Sequence, residues 1–187
     1  MTLKMPRPYP AFRLLLLILC CGLPAGLIFA TDAVKNSAST TMLVLDFELN
    51  DLTLHPDTAN EEKRVKTLRP LLTRKLAGVY GYDITSLSAA ERAKEARGKG
   101  YVFDRPAVAA RMGMKAGSEW VVSGRLHKAS FLFVYLKSQL INAATGEVRA
   151  DFVVEIKGWE PRLTEKGVDA LALQVHESLQ TLLQDQQ

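Results

Sequence analysis

Beyond Cys21 this 187-residue sequence contains no cysteine, and its whole length holds three histidines. The first absence excludes disulfides, thiol nucleophiles and cysteine-ligated metals from everything downstream. The histidines, His55, His127 and His176, lie too far apart in the chain for a helix-borne metal pair, and a metal site would need carboxylates to converge on them. No Gly-x-Ser-x-Gly elbow, phosphate loop or dinucleotide fingerprint occurs. Ser123 precedes Gly124 but sits within a strand pattern, and Gly113 and Gly117 read as loop terminators. A triad can assemble from distant positions, yet no residues recommend themselves for catalysis. The expectation is a protein that is not an enzyme and carries no cofactor.

Long apolar runs are also scarce, apart from one. Lys4, Arg7 and Arg13 precede Leu14–Leu23, an apolar stretch of about ten residues, the length of a signal-peptide core. A confident membrane span needs about 20. Pro24 and Gly26 break the run, small residues follow, and cleavage is expected after Ala30. The reading is residues 1–30 as a signal peptide, 31–40 as a flexible lead-in and 41–185 as one domain, periplasmic or secreted. The alternative is an uncleaved inner-membrane anchor over Leu14–Ala30, the one way this chain would touch a membrane. Cys20 and Cys21 follow Leu19 and Cys20, poor lipoprotein contexts.

Three of the 24 basic residues and none of the 20 acidic ones lie before residue 31, so 21 basic residues face 20 acidic ones afterwards, a net charge of +1. The pI of about 9.1 thus belongs mostly to the precursor. Binding to nucleic acid through basicity is excluded. Lys63, Arg64, Lys66, Arg69, Arg74 and Lys75 read as the solvated side of an amphipathic helix.

The periodicity predicts an α/β (α+β) domain of order βαβα(α)βββα, with a mixed sheet of about five strands and helices packed on it. Thr41–Leu49 is the first strand, with Leu43, Leu45, Phe47 and Leu49 on one face and Met42, Val44, Asp46 and Glu48 on the other. Thr58 opens a helix in which Val65, Leu68, Leu72, Leu76 and Val79 keep helical spacing, and Glu61 completes a capping box. Pro70 predicts a kink there or a restart at Arg69. Tyr82–Ser86 is a short strand, and Ser88–Arg97 and Pro106–Met114 are helices, the latter capped by Asp104 and closed by Gly117. Glu119–His127, Ser130–Ile141 and Glu147–Lys157 form an antiparallel meander, and Thr164–Leu183 is the last helix.

The meander and the first strand carry a resemblance. Val44–Leu49, Ser123-Gly124 with Lys128 and Ser130, Ala144–Val148, Ile156–Gly158 and Gly167 look like the pattern of a secreted Gram-negative family known as a domain of unknown function, over roughly residues 41–180. That family's fold is like those of the TolB N-terminal domain and the lipoprotein activators of penicillin-binding proteins. The resemblance implies an envelope accessory protein acting through protein contacts. Many members carry a cysteine pair before the third strand. Here Arg111–Gly117 stands in that place, so any redox or metal role tied to the pair has no residues to rest on.

Two candidate sites follow. Phe131, Phe133 and Tyr135 alternate with Leu132, Val134 and Leu136, so this strand is apolar on both faces; an uncovered aromatic face would bind a partner or a second copy. Arg125, Lys128 and Trp159 would set orientation at that surface, and the expected partner is an envelope protein. Trp120 heads a strand and reads as core. The alternative function is a small-ligand or cation-binding domain using Asp46, Glu48 and Asp51 beyond the first strand.

Overall fold

A computed structural model describes residues 39–54, 58–95, 97–98, 100–158 and 160–185. The expected signal peptide, most of the lead-in, His55 and Trp159 lie outside the described residues. Ten elements follow in order: β1 Thr41–Val44, β2 Glu48–Asp51, α1 Thr58–Gly78, β3 Asp83–Thr85, α2 Ala89–Glu95, α3 Pro106–Ala116, β4 Trp120–Lys128, β5 Phe133–Asn142, β6 Val148–Lys157 and α4 Pro161–Gln184. They form a single mixed α/β domain. Its six-stranded sheet runs β3-β1-β4-β5-β6, with β2 pairing β4 alongside β1. The strands reached through helices pair in parallel and the late meander is antiparallel, as the order of elements requires.

The first strand departs from expectation. Val44 lies opposite Val122, but Glu48 lies opposite Arg125. Four steps on one strand match three on the other, so Leu45–Phe47 is a bulge carrying one extra residue. Side chains alternate along a strand, so the extra residue reverses facing. Phe47 and Leu49 therefore join Met42 and Val44 in the core beneath α1 and α4, while Leu43 and Leu45 pack under α3. Phe47 reaches across to Gly124, where a Cβ would come within 2.1 Å of its ring.

α1 runs unbroken through Pro70, with no restart at Arg69. Pro70 and Lys66 are both exposed, so the carbonyl left without its N–H lies on the solvent side. Leu68, Leu72 and Leu76 are fully buried against the sheet, each worth about 1.5–3 kcal/mol of burial. The Glu61 carboxylate meets Lys128 and Arg64, and the side chain of its expected capping partner, Thr58, lies outside the described residues. A capping box forms at α2, where the Ser88 hydroxyl and N–H hold Glu91 at 2.8 and 3.0 Å and pull its carboxyl down to about 2. The cap of α3 is Arg105 without a side-chain bond, and Gly117, at φ 72°, closes the helix in the left-handed region.

α1 and α4 together cover one face of the sheet. On the other face α3, Leu87 and the Tyr101–Val102 loop cover Leu43, Leu45, Val121 and Ile141 and stop there. Trp120 is buried core, as expected.

Candidate interaction surface

Parallel strands β2 and β4 end at Asp51 and Lys128, and there the chain inverts the usual placement of charge and hydrocarbon. The Lys128 ammonium is buried, 3.3 Å from the Asp51 carboxylate and 3.2 Å from that of Glu61. Arg64 approaches Glu61 at 3.6 Å and donates to the Thr164 hydroxyl at 2.9 Å and the Gly158 carbonyl at 3.3 Å. The bulge puts Asp51 on the same face as Lys128, and the network ties β2, β4, α1 and α4 together. Burial opposes ionisation of Asp51, but the Thr53 hydroxyl and N–H and the Lys128 ammonium outweigh it, and its pKa lies below the ordinary value. Lys128 is therefore no orienting surface residue, because its charge is consumed inside. Arg64 likewise leaves the solvated side expected of its neighbours.

Around these interior charges the apolar side chains face outward. Leu54 is 93% exposed, Leu132 68%, Phe131 63%, Leu52 62% and Phe133 40%. Thr53 folds back on Asp51 through its N–H at 2.9 Å and its hydroxyl at 2.6 Å, a tight turn flanked by exposed Leu52 and Leu54. The Leu52 N–H donates to the Lys128 carbonyl at 3.0 Å, joining that turn to β4. The β4–β5 connection is shaped by the Ser130 hydroxyl, which accepts from the N–H groups of Leu132 and Phe133. Phe131 thus sits in this turn rather than in a strand, with its ring 5.5 Å from the Lys128 ammonium.

Phe133 and Tyr135 share the less covered face, and Tyr135 lies opposite His127 with ring centroids 6.4 Å apart. That strand is not apolar on both faces throughout. Val134, Leu136 and Leu140 are buried, while Lys137 and Gln139 follow Tyr135 on the other side. Arg125 is largely covered: it pairs with Glu48 at 3.7 Å and Asp104 at 3.0 Å and lies 4.4 Å from the Phe103 ring centre. His127 receives the Asn50 amide at 3.0 Å. Burial, then Lys137 and Arg125, lower its pKa, which favours the neutral ring as acceptor.

The acidic trio Asp46, Glu48 and Asp51 does not assemble. Asp46, in the bulge, meets Arg92 at 2.7 Å and Arg69 at 3.4 Å. Glu48 turns to the opposite face from Asp51 and accepts from the Val102 N–H at 3.3 Å. Burial raises its pKa against the pull of that bond and of Arg125. Each carboxylate has its own cation, and among the described residues no group of three His, Cys, Asp or Glu could hold a metal. Leu52, Leu54, Glu61 and Arg64 were not legible as site residues. The one available signal was the pair of leucines in a polar loop directly after Asp51.

These features define a small α/β domain with an apolar end built over an interior ion network. The chain belongs to the family described as protein of unknown function (DUF2380), which matches residues 40–174. Solved structures similar to it include a PelC dodecamer from Paraburkholderia phytofirmans, 16% identical, with a TM-score of 0.48 over 76% of this chain and 88% of that one. Lipoprotein GNA1162 from Neisseria meningitidis is 17% identical, with a TM-score of 0.47 over 75% and 99%. The LpoB C-terminal domain from Salmonella enterica is 14% identical, with a TM-score of 0.44 over 64% and 83%. No curated protein matches the chain. No helix among the described residues is long and apolar enough to cross a membrane.

Proposed function

We propose that the domain is a non-enzymatic protein-binding module of the cell envelope that docks an envelope protein on the end formed by Leu52, Leu54, Phe131, Leu132 and Phe133. The observation that carries this is their joint exposure at one end of the sheet. Monomers seldom leave contiguous large apolar side chains in water unless something covers them. The ion network beneath fixes the turns that present them, and pre-organised turns lose little freedom on binding. Apolar burial would supply affinity, with Tyr135 extending the patch along the open face. The envelope location rests on the basic-then-apolar N-terminal segment. A cation-binding reading of Asp46, Glu48 and Asp51 is not favoured, because each is already matched to an internal cation.

The test is affinity capture of the tagged protein from crosslinked envelope extract, read by mass spectrometry. Beside it run the double variant Leu54→Ser/Leu132→Ser and a variant of the remote helix face, Lys94→Ser. One abundant partner, held by wild type and Lys94→Ser and lost by the double variant with its melting temperature unchanged, is the expected result. Equal capture by all three, or no specific partner, overturns the proposal.

A further inference from the structure

The two edges of the sheet differ. β3 has three residues, whereas β6 has ten, and among the described residues no strand pairs with its outer side. A long open edge is a template for another strand, and proteins usually blunt it.

The hydrogen-bond phase of β6 can be read from its end. The Gly158 N–H donates to the Leu132 carbonyl, and Ile156, Val154 and Phe152 lie opposite Val134, Leu136 and Ser138. In an antiparallel pair both backbone groups of a residue point the same way and alternate along the strand. The even positions therefore face β5, and Asp151, Val153, Glu155 and Lys157 turn their N–H and C=O groups outward. The alternation is interrupted at Arg149, where the register shifts between Leu140 and Ile141. The regular open edge is 151–157.

We infer that this edge pairs with the same edge of a second copy, antiparallel about a two-fold axis at Val154, with Asp151 of each chain opposite Lys157 of the other. Charge complementarity selects the register. Two-fold pairing admits only shifts that keep side chains on matching faces. Two residues one way, Asp151 meets Glu155 of the copy and Arg149 meets Lys157. Two residues the other way, Glu155 meets itself. Both place like charges opposite each other, which opposes pairing. Two four-residue shifts are also complementary in charge, but the one that sets Glu155 against Arg149 needs a regular ladder through the bulge, and the one that sets Glu155 against Lys157 pairs only 155–157 of the regular edge. In the register at Val154, Asp151 meets Lys157 twice, and Val153 meets Glu155.

The helix side of the edge fits this arrangement. A cleft of about 290 Å³ runs beside β6, lined by Val154, Ile156, Leu163, Gly167 and Ala170. Leu173, one turn on, is 45% exposed. Strands about 4.8 Å apart make one continuous sheet and place the two α4 helices on the same side of it, next to each other across the axis. That covers the cleft and Leu173. This surface is separate from the docking end and does not depend on it.

Sedimentation velocity across a concentration series of the purified chain tests the inference. Wild type is expected to pass from monomer to dimer, Asp151→Lys and Lys157→Asp each to weaken the dimer at least tenfold, and the combined D151K/K157D to restore it. Val153→Pro, which deletes only an outward N–H, is expected to keep the melting temperature and abolish the dimer. A chain that stays monomeric, or a dimer indifferent to these changes, overturns the inference. Sensitivity to Lys157→Asp with indifference to Asp151→Lys moves pairing to one of the four-residue shifts and overturns this register. In hydrogen exchange, concentration-dependent protection at the Val153 and Glu155 amides is expected, and its absence is incompatible with edge pairing.

Discussion

On the face that α1 and α4 cover, Val134, Leu136 and Leu140 of β5 are all sealed, whereas on the opposite face Ile141 is sealed and Phe133, eight residues away, is 40% exposed. The two faces are made from the same strand by the same alternation. What separates them is the length of their cover. α4 has 24 residues and α3 has 11, so the second layer ends before the sheet does. The strand residues beyond it change accordingly, to Lys137, Tyr135 and Phe133. Enough core forms under the long helices that the short-helix face can leave its far end open.

Four tests would break or sharpen that contrast. The largest effect is expected where the closed face is most demanding. Lys128→Met leaves Asp51 and Glu61 buried without their shared cation, and removing one partner of a buried ion network costs about 3–5 kcal/mol; urea unfolding measures it, and a loss under about 1 kcal/mol would show that water reaches the network. Next is Gly124→Ala, which drives a methyl into the Phe47 ring at a spacing of 2.1 Å. Overpacking of that kind costs about 1–3 kcal/mol, and the same unfolding series would show it.

The third is a pH effect on the open face. The pKa of His127 is lowered from 6.5 in the folded chain, so the unfolded chain binds the extra proton. Stability is complete above the unfolded value and declines as pH falls through 6.5 toward the folded value. His127→Gln should flatten the melting-temperature profile as pH falls below 6.5; a profile unchanged by the substitution assigns the decline elsewhere. The smallest effect belongs to the exposed end. Leu54→Ser and Leu132→Ser should each stay within about 0.5 kcal/mol of wild type. A larger loss in thermal melts would mean these side chains belong to the fold rather than to a partner.

The meander, α4 and the α1 stripe were legible because their periods are long and uninterrupted: Val168, Leu171, Val175 and Leu179 repeat at helical steps and all pack in the core. The bulge was not. Met42 to Leu45 is apolar on both faces, and the regular alternation onward to Leu49 already gives one fully apolar face, so nothing local marks the extra residue; only the pairing of Glu48 with Arg125 reveals it. Lys128 was misplaced for a related reason. A lysine at a strand end reads as solvated unless its two carboxylates, 77 and 67 residues upstream, are known to close on it. Phe131 kept the alternation of a strand, but the Ser130 hydroxyl claims two backbone N–H groups and makes a turn instead.

The extra residue at Leu45–Phe47 makes this segment a phase shifter for everything between it and α1. Deleting one residue there would leave three steps against three, a regular ladder in which Glu48 still meets Arg125 and Asp51 still meets Lys128. A one-codon deletion here should therefore be far better tolerated than a one-codon insertion, which would ask the bulge to absorb a second extra residue or turn Asp51 away from Lys128.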